Sequence, residues 1–227
     1  MAEPIKIDVW SDVACPWCYI GKRRLESGIT AFTGAADGAA PPVEVEFHSF
    51  QLSPDTPADV VGSAADFLAE HKGLPREQAA QMQAQVAAIA AEDGLHYDFG
   101  SQRPANTRMA HQVLHLAKHD GLDVQAAMKE RLLAAHFVEG RHIGREDELV
   151  DLAVEVGLDR DETLAALADQ RYAAAVDADI AQARQLGING VPFFVLDGRY
   201  GISGAQPSEL FTQALRQVVE DRATAQT

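Results

Sequence analysis

The first third of the chain predicts two β-strands separated by a helix. Residues 5–10, IKIDVW, alternate apolar and polar side chains, which is typical of a strand. Residues 19–32, YIGKRRLESGITAF, have helical spacing, and we expect this helix to end near Gly34, within a small-residue loop at 33–42. Residues 43–50, VEVEFHSF, alternate strictly and carry Glu and His on one face, which suits an edge strand.

The middle of the chain, from about Pro54 to Leu186, shows helical patterns alone. They are rich in Ala and mostly stop at Gly, the usual residue after a helix C-terminus. Asp159 and Glu162 have the spacing of a capping box at a helix start. The six predicted helices span residues 63–73, 75–94, 106–121, 122–140, 146–157 and 159–187.

The C-terminal segment returns to strands and closes with a helix. The run PFFVL at 192–196 is continuously apolar, which predicts a strand buried on both faces. Asp197–Gly198 is typical of a type I′ hairpin turn, and 199–203, RYGIS, would be the returning strand. The pattern at 207–222 predicts a helix whose apolar stripe comprises Leu210, Phe211, Ala214, Leu215 and Val218.

Composition narrows the classes of function. The 227 residues carry a net charge of −15 and show no cluster of Lys and Arg, which argues against nucleic acid as a partner. No run of 18 apolar residues is present, so we expect no membrane span. The N-terminal stretch lacks the pattern of a secretory signal, so a cytoplasmic location is expected.

The chain has only two cysteines, and they lie three positions apart as Cys15 and Cys18. In a reducing compartment such a pair is typical of a catalytic or metal-binding site. Cys15 falls at the predicted start of a helix, with Pro16 at the first helical position. A helix N-terminus favours thiolate over thiol, so we expect Cys15 to be the nucleophile. Cys18, one turn later, is placed to form a disulfide with it.

Two other interpretations of the cysteine pair are less favoured. A zinc site needs about four ligands, and this pair supplies two. His111, His115 and His119 share one helical face, but the sequence HQVLH lacks the Glu of the metalloprotease helix. We expect that face to be a partly exposed helix surface, and we predict no metal. The alternative of two incidental apolar cysteines is disfavoured by the Pro-Trp insert and by the strand-to-helix context.

Several segments resemble the DsbA-like branch of the thioredoxin superfamily, in particular the FrnE-type oxidoreductases. They are DVACPWCYIGKRRLE, FHSFQLSPDTP, HFVEGRHIG and LGINGVPFFVLDGRYGISGAQP, and the resemblance spans nearly the whole chain. It implies an α/β thioredoxin fold, with a four-stranded mixed sheet of order 2-1-3-4 and a large all-helical insertion. Residues 1–53 and 187–227 would form the thioredoxin fold, and residues 54–186 the insertion.

The resemblance also implies roles for individual residues. Cys15 and Cys18 would form a redox-active disulfide, with Pro16 and Trp17 as supporting residues. The cis-proline of the superfamily corresponds to Pro192, and the backbone of Val191 would pair with an extended substrate segment. Trp17 stands where strongly oxidising DsbA proteins have His, so we expect a less oxidising pair. No bound cofactor is implied, although a small thiol such as glutathione is a candidate co-substrate.

Three functions remain open at this stage. The first is a thiol–disulfide oxidoreductase acting on protein or small-thiol substrates. The second is a glutathione-dependent isomerase or transferase, related to 2-hydroxychromene-2-carboxylate isomerases and kappa-class glutathione transferases, which typically have Ser at the first cysteine position. The third is a peptide-binding module. The direction of the redox reaction and the oligomeric state are not predicted. Candidates for a substrate cleft are Phe50, Gln51, Leu52, Pro104, Asn106 and Thr107, although core packing is the favoured reading of Phe50 and Leu52.

Overall fold

A computed structural model describes residues 3–34, 40–60 and 62–225. Residues 35–39 of the predicted loop at 33–42 lie outside these ranges. The elements are β1 (Ile5–Ser11), α1 (Pro16–Gly34), β2 (Val43–Ser49), α2 (Ala64–Lys72), α3 (Arg76–Glu92), α4 (Arg108–Asp120), α5 (Leu122–Phe137), α6 (Glu146–Glu155), α7 (Arg160–Ala168), α8 (Ala173–Gln185), β3 (Phe193–Leu196), β4 (Tyr200–Ser203) and α9 (Ser208–Ala225).

The four described strands form one mixed sheet in the order β2-β1-β3-β4, which confirms the predicted thioredoxin fold. β1 pairs in parallel with β2 and antiparallel with β3, and β3 pairs antiparallel with β4. β2 therefore lies at an edge, as its alternating charges predict. Asp197 and Gly198 both have positive φ, as the predicted type I′ turn requires.

Helices α1 and α9 cover one face of the sheet. Ile5 and Ile7 of β1 pack in a single buried cluster with Phe194 and Phe211. A Cβ added at Gly28 of α1 would lie 2.7 Å from Cβ of Phe211, so a glycine there lets the two helices approach closely. The stripe predicted on α9 is correct except at one position, Leu210, which is 40% exposed.

Helices α2 to α8 form the insertion between β2 and β3, as predicted. Its main apolar cluster centres on buried residues of α4, α5 and α6, and Val13 of the β1–α1 loop also packs into it. The loop that precedes the cysteines is thereby fixed to the insertion. None of the described helices is long and apolar enough to cross a membrane.

Three predictions about the elements are wrong in detail. The last predicted helix of the insertion is two helices, because the chain breaks after Asp169, where Gln170 adopts a φ of +53°. At the start of α7 the Glu162 N–H donates to Asp159, whereas the Glu162 side chain pairs with Arg171. β3 begins one residue after Pro192, and its burial alternates, because only Phe194 and Leu196 face the central core.

Candidate active site

The two cysteines lie at the start of α1, as predicted. The Cys15 N–H donates to the carbonyl of Asp12 at 3.4 Å, and the Cys18 N–H donates to the carbonyl of Cys15 at 3.0 Å. Pro16 is the first residue of α1. Both thiols are free, and the residues are only 3% and 2% exposed. The turn therefore places both sulfur atoms in a largely dry environment.

The loop before β3 meets this turn from the other side. The Val191–Pro192 peptide bond is cis. The Cys15 thiol donates to the carbonyl of Val191 at 3.6 Å, across 176 positions of the chain. A Cβ added at Gly21 of α1 would lie 2.8 Å from Cγ of Pro192, so a glycine there leaves the space that this proline ring needs. The structure thus brings Cys15 and Val191 into contact.

Asp12 holds the β1–α1 loop by a buried carboxylate. The side chain accepts hydrogen bonds from the amides of Leu52 at 2.8 Å and Ala14 at 3.4 Å, and it lies 3.3 Å from Nε2 of His111. Burial raises the pKa of Asp12, but the contacts with His111 and Leu52 outweigh it and leave the pKa below its usual value. Asp12 is therefore a buried anion beside the cysteine turn.

Lys129 of α5 is a buried cation in the same region. It is 1% exposed, its ammonium donates to the carbonyl of Ser11 at 3.4 Å, and it lies 5.8 Å from the ring centre of Phe47. Burial lowers the pKa of Lys129 to about 8, although the neighbouring Cys18 and Asp12 partly oppose that shift. Burial also lowers the pKa of His111, so this imidazole is neutral near pH 7.

The thiols titrate as a coupled pair. The pKa of Cys15 is raised, chiefly because it shares a hydrogen bond with Cys18 and because it is buried. Burial raises the pKa of Cys18 as well, but the hydrogen bond from Cys15 and the charge of Lys129 lower it overall. That Cys15 is the nucleophile stays a prediction, because a proton can move between the two hydrogen-bonded sulfurs. The helix terminus acts on both sulfurs, while the lysine, which the sequence could not place, favours charge on Cys18.

The residues between and beside the cysteines differ in exposure. Trp17 is 37% exposed, so its ring borders the solvent side of the turn. The hydroxyl of Tyr97 donates to the carbonyl of Pro16 at 2.8 Å. Burial raises the pKa of Tyr97, so the hydroxyl remains protonated and keeps this hydrogen bond. Tyr97 also stacks on Tyr19 of α1, which fixes the first turns of that helix to the insertion.

The predicted substrate residues separate into two groups. The Gln51 amide lies 3.4 Å from the side-chain oxygen of Asn106 and 3.5 Å from that of Thr107, so these three residues do meet. Asn106 also donates to two carbonyls of the loop that follows β2. Phe50 instead packs against the cluster around Trp10, as core packing predicts. Pro104 is buried beside Asn106.

Leu52 is 45% exposed and lies between the cysteine turn and a cleft. Its amide is bonded to Asp12, while its side chain lines a cavity of about 550 Å³. Apolar walls are supplied by Pro54, Pro57 and Phe67, and polar groups by Asp55, Glu70 and His71. Core packing is thus the wrong reading of Leu52. This cleft does not include the cysteines, although two hydrogen bonds through Asp12 connect it to Cys15.

A second polar cluster, largely buried, lies beside Trp10, whose ring stacks on His48, and the sequence did not predict it. His48 Nδ1 lies 3.1 Å from Asp179 and Nε2 lies 2.8 Å from Asp8, while His115 lies 3.0 Å from Asp179. Despite burial, the two carboxylates raise the pKa of His48 to about 9. We call this the β2–α8 cluster; its members are Asp8, His48, His115 and Asp179.

The burial of two histidines of α4 contradicts the prediction that their helical face is partly exposed. His111 and His115 are 0% and 8% exposed, so the α4 face predicted to be a partly exposed surface is buried except at His119. The ligand atoms of Asp8, Glu46 and His48 lie within 4.8 Å of one another. However, Lys118 is paired with Glu46, and the imidazole is held protonated by two carboxylates. The carboxylates of Asp8 and Glu46 therefore already have positively charged partners in His48 and Lys118.

The charged and titratable residues around the cysteine turn form a cluster of their own, which we call the active-site cluster. Its members are Asp12, Cys15, Cys18, His111 and Lys129. Sequence reasoning found its cysteines and missed the other three. A weak signal exists for Lys129, because it falls on the helical face that also carries Gln125, Met128, Leu132 and Leu133, all buried. A lysine among apolar positions more often extends to solvent, so the pattern alone does not identify it.

The chain is similar to known proteins in both sequence and structure. Residues 6–216 match the DSBA-like thioredoxin domain. A probable DsbA oxidoreductase from Streptomyces coelicolor is 42% identical, with a TM-score of 0.84 over 94% of this chain and 89% of that chain.

Two more distant structures share the fold. A 2-hydroxychromene-2-carboxylate isomerase is 16% identical, with a TM-score of 0.68 over 97% of this chain and 98% of that chain. The cytosolic disulfide reductase DsbM from Pseudomonas aeruginosa, solved with GSH, is 21% identical, with a TM-score of 0.59 over 96% and 99%. The match over residues 6–216, together with the sheet order, shows that this chain belongs to the family of DSBA-like thioredoxin domains.

Proposed function

We propose that the protein is a thiol–disulfide oxidoreductase whose reacting groups are the sulfurs of Cys15 and Cys18. The observation that carries the proposal is the contact of the Cys15 thiol with the carbonyl of Val191, next to cis-Pro192. This contact puts Cys15 beside Val191, a partly buried residue whose backbone is the proposed partner of an extended substrate peptide. Cys18 lies one helical turn on, as fully buried as Cys15, and the charge of Lys129 lowers its pKa.

The proposed reaction has two exchange steps. The thiolate of the pair passes to Cys15 by a proton shift between the two sulfurs, and Cys15 attacks one sulfur of a substrate disulfide. A mixed disulfide forms and the first substrate thiolate leaves. Cys18 passes the proton that it received to the departing thiolate and then, as a thiolate, attacks the Cys15 sulfur, which forms the Cys15–Cys18 disulfide and releases the second substrate thiolate. The reverse sequence oxidises a substrate dithiol, and a small thiol such as glutathione is the candidate for recycling the pair.

The setting proposed for this reaction is the cytoplasm, with protein or small-molecule thiols and disulfides as substrates. Support comes from the likeness to a disulfide reductase that is cytosolic and was solved with GSH. The midpoint potential decides the direction. A value near about −270 mV indicates a reductant and one near about −120 mV an oxidant.

A second candidate is a glutathione-dependent isomerase acting on an apolar molecule. Two observations favour it: the fold match to an isomerase and the cleft of about 550 Å³ beside Leu52. The presence of a cysteine at position 18 as well as at 15 favours redox exchange instead, because isomerisation needs no second thiol.

Insulin reduction by the unmodified protein and by Cys15→Ser tests the proposal. We expect the variant to lose more than about a hundredfold in rate, because serine does not form the mixed disulfide. Cys18→Ser is the matched variant: it keeps the first step, so it should accumulate a trapped mixed disulfide that mass spectrometry detects. Undiminished insulin reduction by Cys15→Ser would contradict the proposal.

A further inference from the structure

Two buried lysines in the molecule have very different surroundings. Lys22 of α1 is 4% exposed, and its ammonium contacts Glu26 at 2.5 Å and Glu130 at 2.6 Å. Lys129 is 1% exposed, and within the described part of the chain no carboxylate forms an ion pair with it; its hydrogen-bond acceptor is the carbonyl of Ser11. A buried ammonium without an opposite charge is strongly unfavourable. Lys129 therefore needs an anion that the ion pairs do not supply.

The charged and titratable groups that face Lys129 come from three elements. They are Asp12 and Cys15 of the β1–α1 loop, Cys18 and Lys22 of α1, and His111 of α4. From β2 it meets the uncharged ring of Phe47. The carboxylate of Asp12 is already occupied by two amides and by His111. Asp12 still acts on Lys129 through its charge but forms no ion pair with it, so the cysteine pair is the other source of negative charge among these groups.

We propose that the ammonium of Lys129 is the counter-charge of the thiolate formed by Cys15 and Cys18, and that it releases its proton when the pair is oxidised. This inference rests on the disulfide exchange proposed above. It makes Lys129 a positioning residue: it sets where the negative charge lies in the reduced pair. Because Lys129 belongs to α5, the helical insertion would supply part of the electrostatics of the active site.

Reduction of the protein by a dithiol transfers two electrons and two protons. The oxidised state holds a Cys15–Cys18 disulfide and a neutral Lys129 amine. A dithiol reductant gives up two electrons and two protons and becomes a disulfide. The protein takes up both electrons and both protons, and becomes a Cys15 thiol, a Cys18 thiolate and a Lys129 ammonium. If Lys129 were always charged, the same reduction would bind one proton instead of two.

The surroundings of the lysine agree with this change of state. Burial lowers the pKa of Lys129 to about 8, and Cys18 is the first of the neighbours that raise it. In the disulfide that neighbour carries no charge, so the pKa of Lys129 falls further. Protonation of Lys129 is thus coupled to reduction of the Cys15–Cys18 disulfide.

Lys129→Met tests the first part of the proposal, with Lys22→Met as the matched control. The thiolate absorbance of each reduced protein is titrated against pH. We expect the thiolate fraction at about pH 7 to fall roughly tenfold in Lys129→Met, because an opposite charge nearby is worth about one pKa unit or more. Lys22→Met should stay within about twofold, since its counter-charges are carboxylates. The same tenfold loss would lower the midpoint potential by about 30 mV.

Lys129→Arg tests the second part, since a guanidinium keeps its charge and does not lose its proton. We expect its thiolate fraction to stay within about twofold of the unmodified protein, while proton uptake on reduction decreases. An unchanged thiolate fraction in folded Lys129→Met would overturn the proposal, as would an equal fall in Lys22→Met. Because these titrations need no substrate, they decide the role of Lys129 even if insulin reduction fails.

Should Lys129→Met not fold, the unmodified protein decides the question. Reduction at about pH 8 is followed by two measurements on one sample: protons taken up, by back-titration, and thiols protonated, by absorbance. Proton uptake in excess of the thiols supports the proposal. Equal numbers would show that Lys129 does not change its charge, and would overturn it.

Discussion

The active-site cluster and the β2–α8 cluster bury the same kinds of groups with opposite results. Each contains a histidine close to an aspartate: Asp8 of β1 in the β2–α8 cluster, and Asp12, directly after β1, in the active-site cluster. In the β2–α8 cluster, two carboxylates raise the pKa of His48 to about 9. In the active-site cluster, burial lowers the pKa of His111 although it lies 3.3 Å from Asp12.

The difference lies in how many partners each buried charge has. His48 lies between Asp8 and Asp179, so its positive charge is compensated where it is buried. His111 has one carboxylate partner and a nearby ammonium, which disfavours a second positive charge. Because both carboxylates contact His48, the β2–α8 cluster stabilises the packing of α8 against β2. Incomplete pairing leaves Lys129 without a carboxylate ion pair among the described residues, and its hydrogen bond goes to a backbone carbonyl.

The largest effect that we expect comes from breaking the paired cluster. Asp179→Asn removes the carboxylate shared by His48 and His115, and leaves a buried imidazolium with fewer partners. The free energy of unfolding should fall by about 3 kcal/mol. Chemical denaturation measures it, and thiolate titration should show no change in the active-site cluster.

Asp177→Asn is the matched control on the same helix. Asp177 pairs with Arg108 at 2.7 Å, but its side chain is 61% exposed. Its loss should cost less than about 1 kcal/mol, because exposed ion pairs contribute little. Equal losses in the two variants would show that the β2–α8 cluster is no more stabilising than a surface pair.

A pH effect of similar size follows from His48. Its pKa is about 9 in the folded protein and about 6.5 in an unfolded chain, so folding favours the protonated form. The stabilisation is fully present below about pH 6.5 and is lost as the pH rises through about 9. The difference in unfolding free energy between the unmodified protein and His48→Gln should therefore shrink by about 3 kcal/mol across that range. A difference that stays constant would mean that His48 is neutral in the folded protein.

The sequence predicts the frame of the active site well, for local reasons. A CxxC pair after a strand, Pro at the first helical position and a strand that begins near Pro192 are all local patterns, and the structure places each as expected within one residue. Sheet order followed from resemblance to a family, not from the pattern of residues. The break at Gln170 was missed, because Asp169–Arg171 contains neither Gly nor Pro.

The electrostatics of the site could not be predicted, because they depend on contacts between distant positions. Asp12 is joined to His111 across 99 positions, and Lys129 to Ser11 across 118. In the sequence, His111 belongs to a row of histidines and Lys129 to an ordinary helix. Only the packing of α4 and α5 against the β1–α1 loop makes them part of a site. The same packing places Lys129 where its charge lowers the pKa of Cys18.

The smallest effect that we expect comes from adding a cation to the active-site cluster, whose buried charges have fewer partners. Trp17→His places an imidazole between the cysteines, where it can stabilise the thiolate only while protonated, below about pH 6.5. Position 17 is 37% exposed and Lys129 already supplies a charge, so the gain should be at most about tenfold, or about 30 mV in midpoint potential. Titration against a thiol buffer at about pH 6 and about pH 8 measures it, with Trp17→Phe as control. A rise of the same size at both pH values, or in both variants, would show that the shift comes from removing the indole ring and not from adding charge.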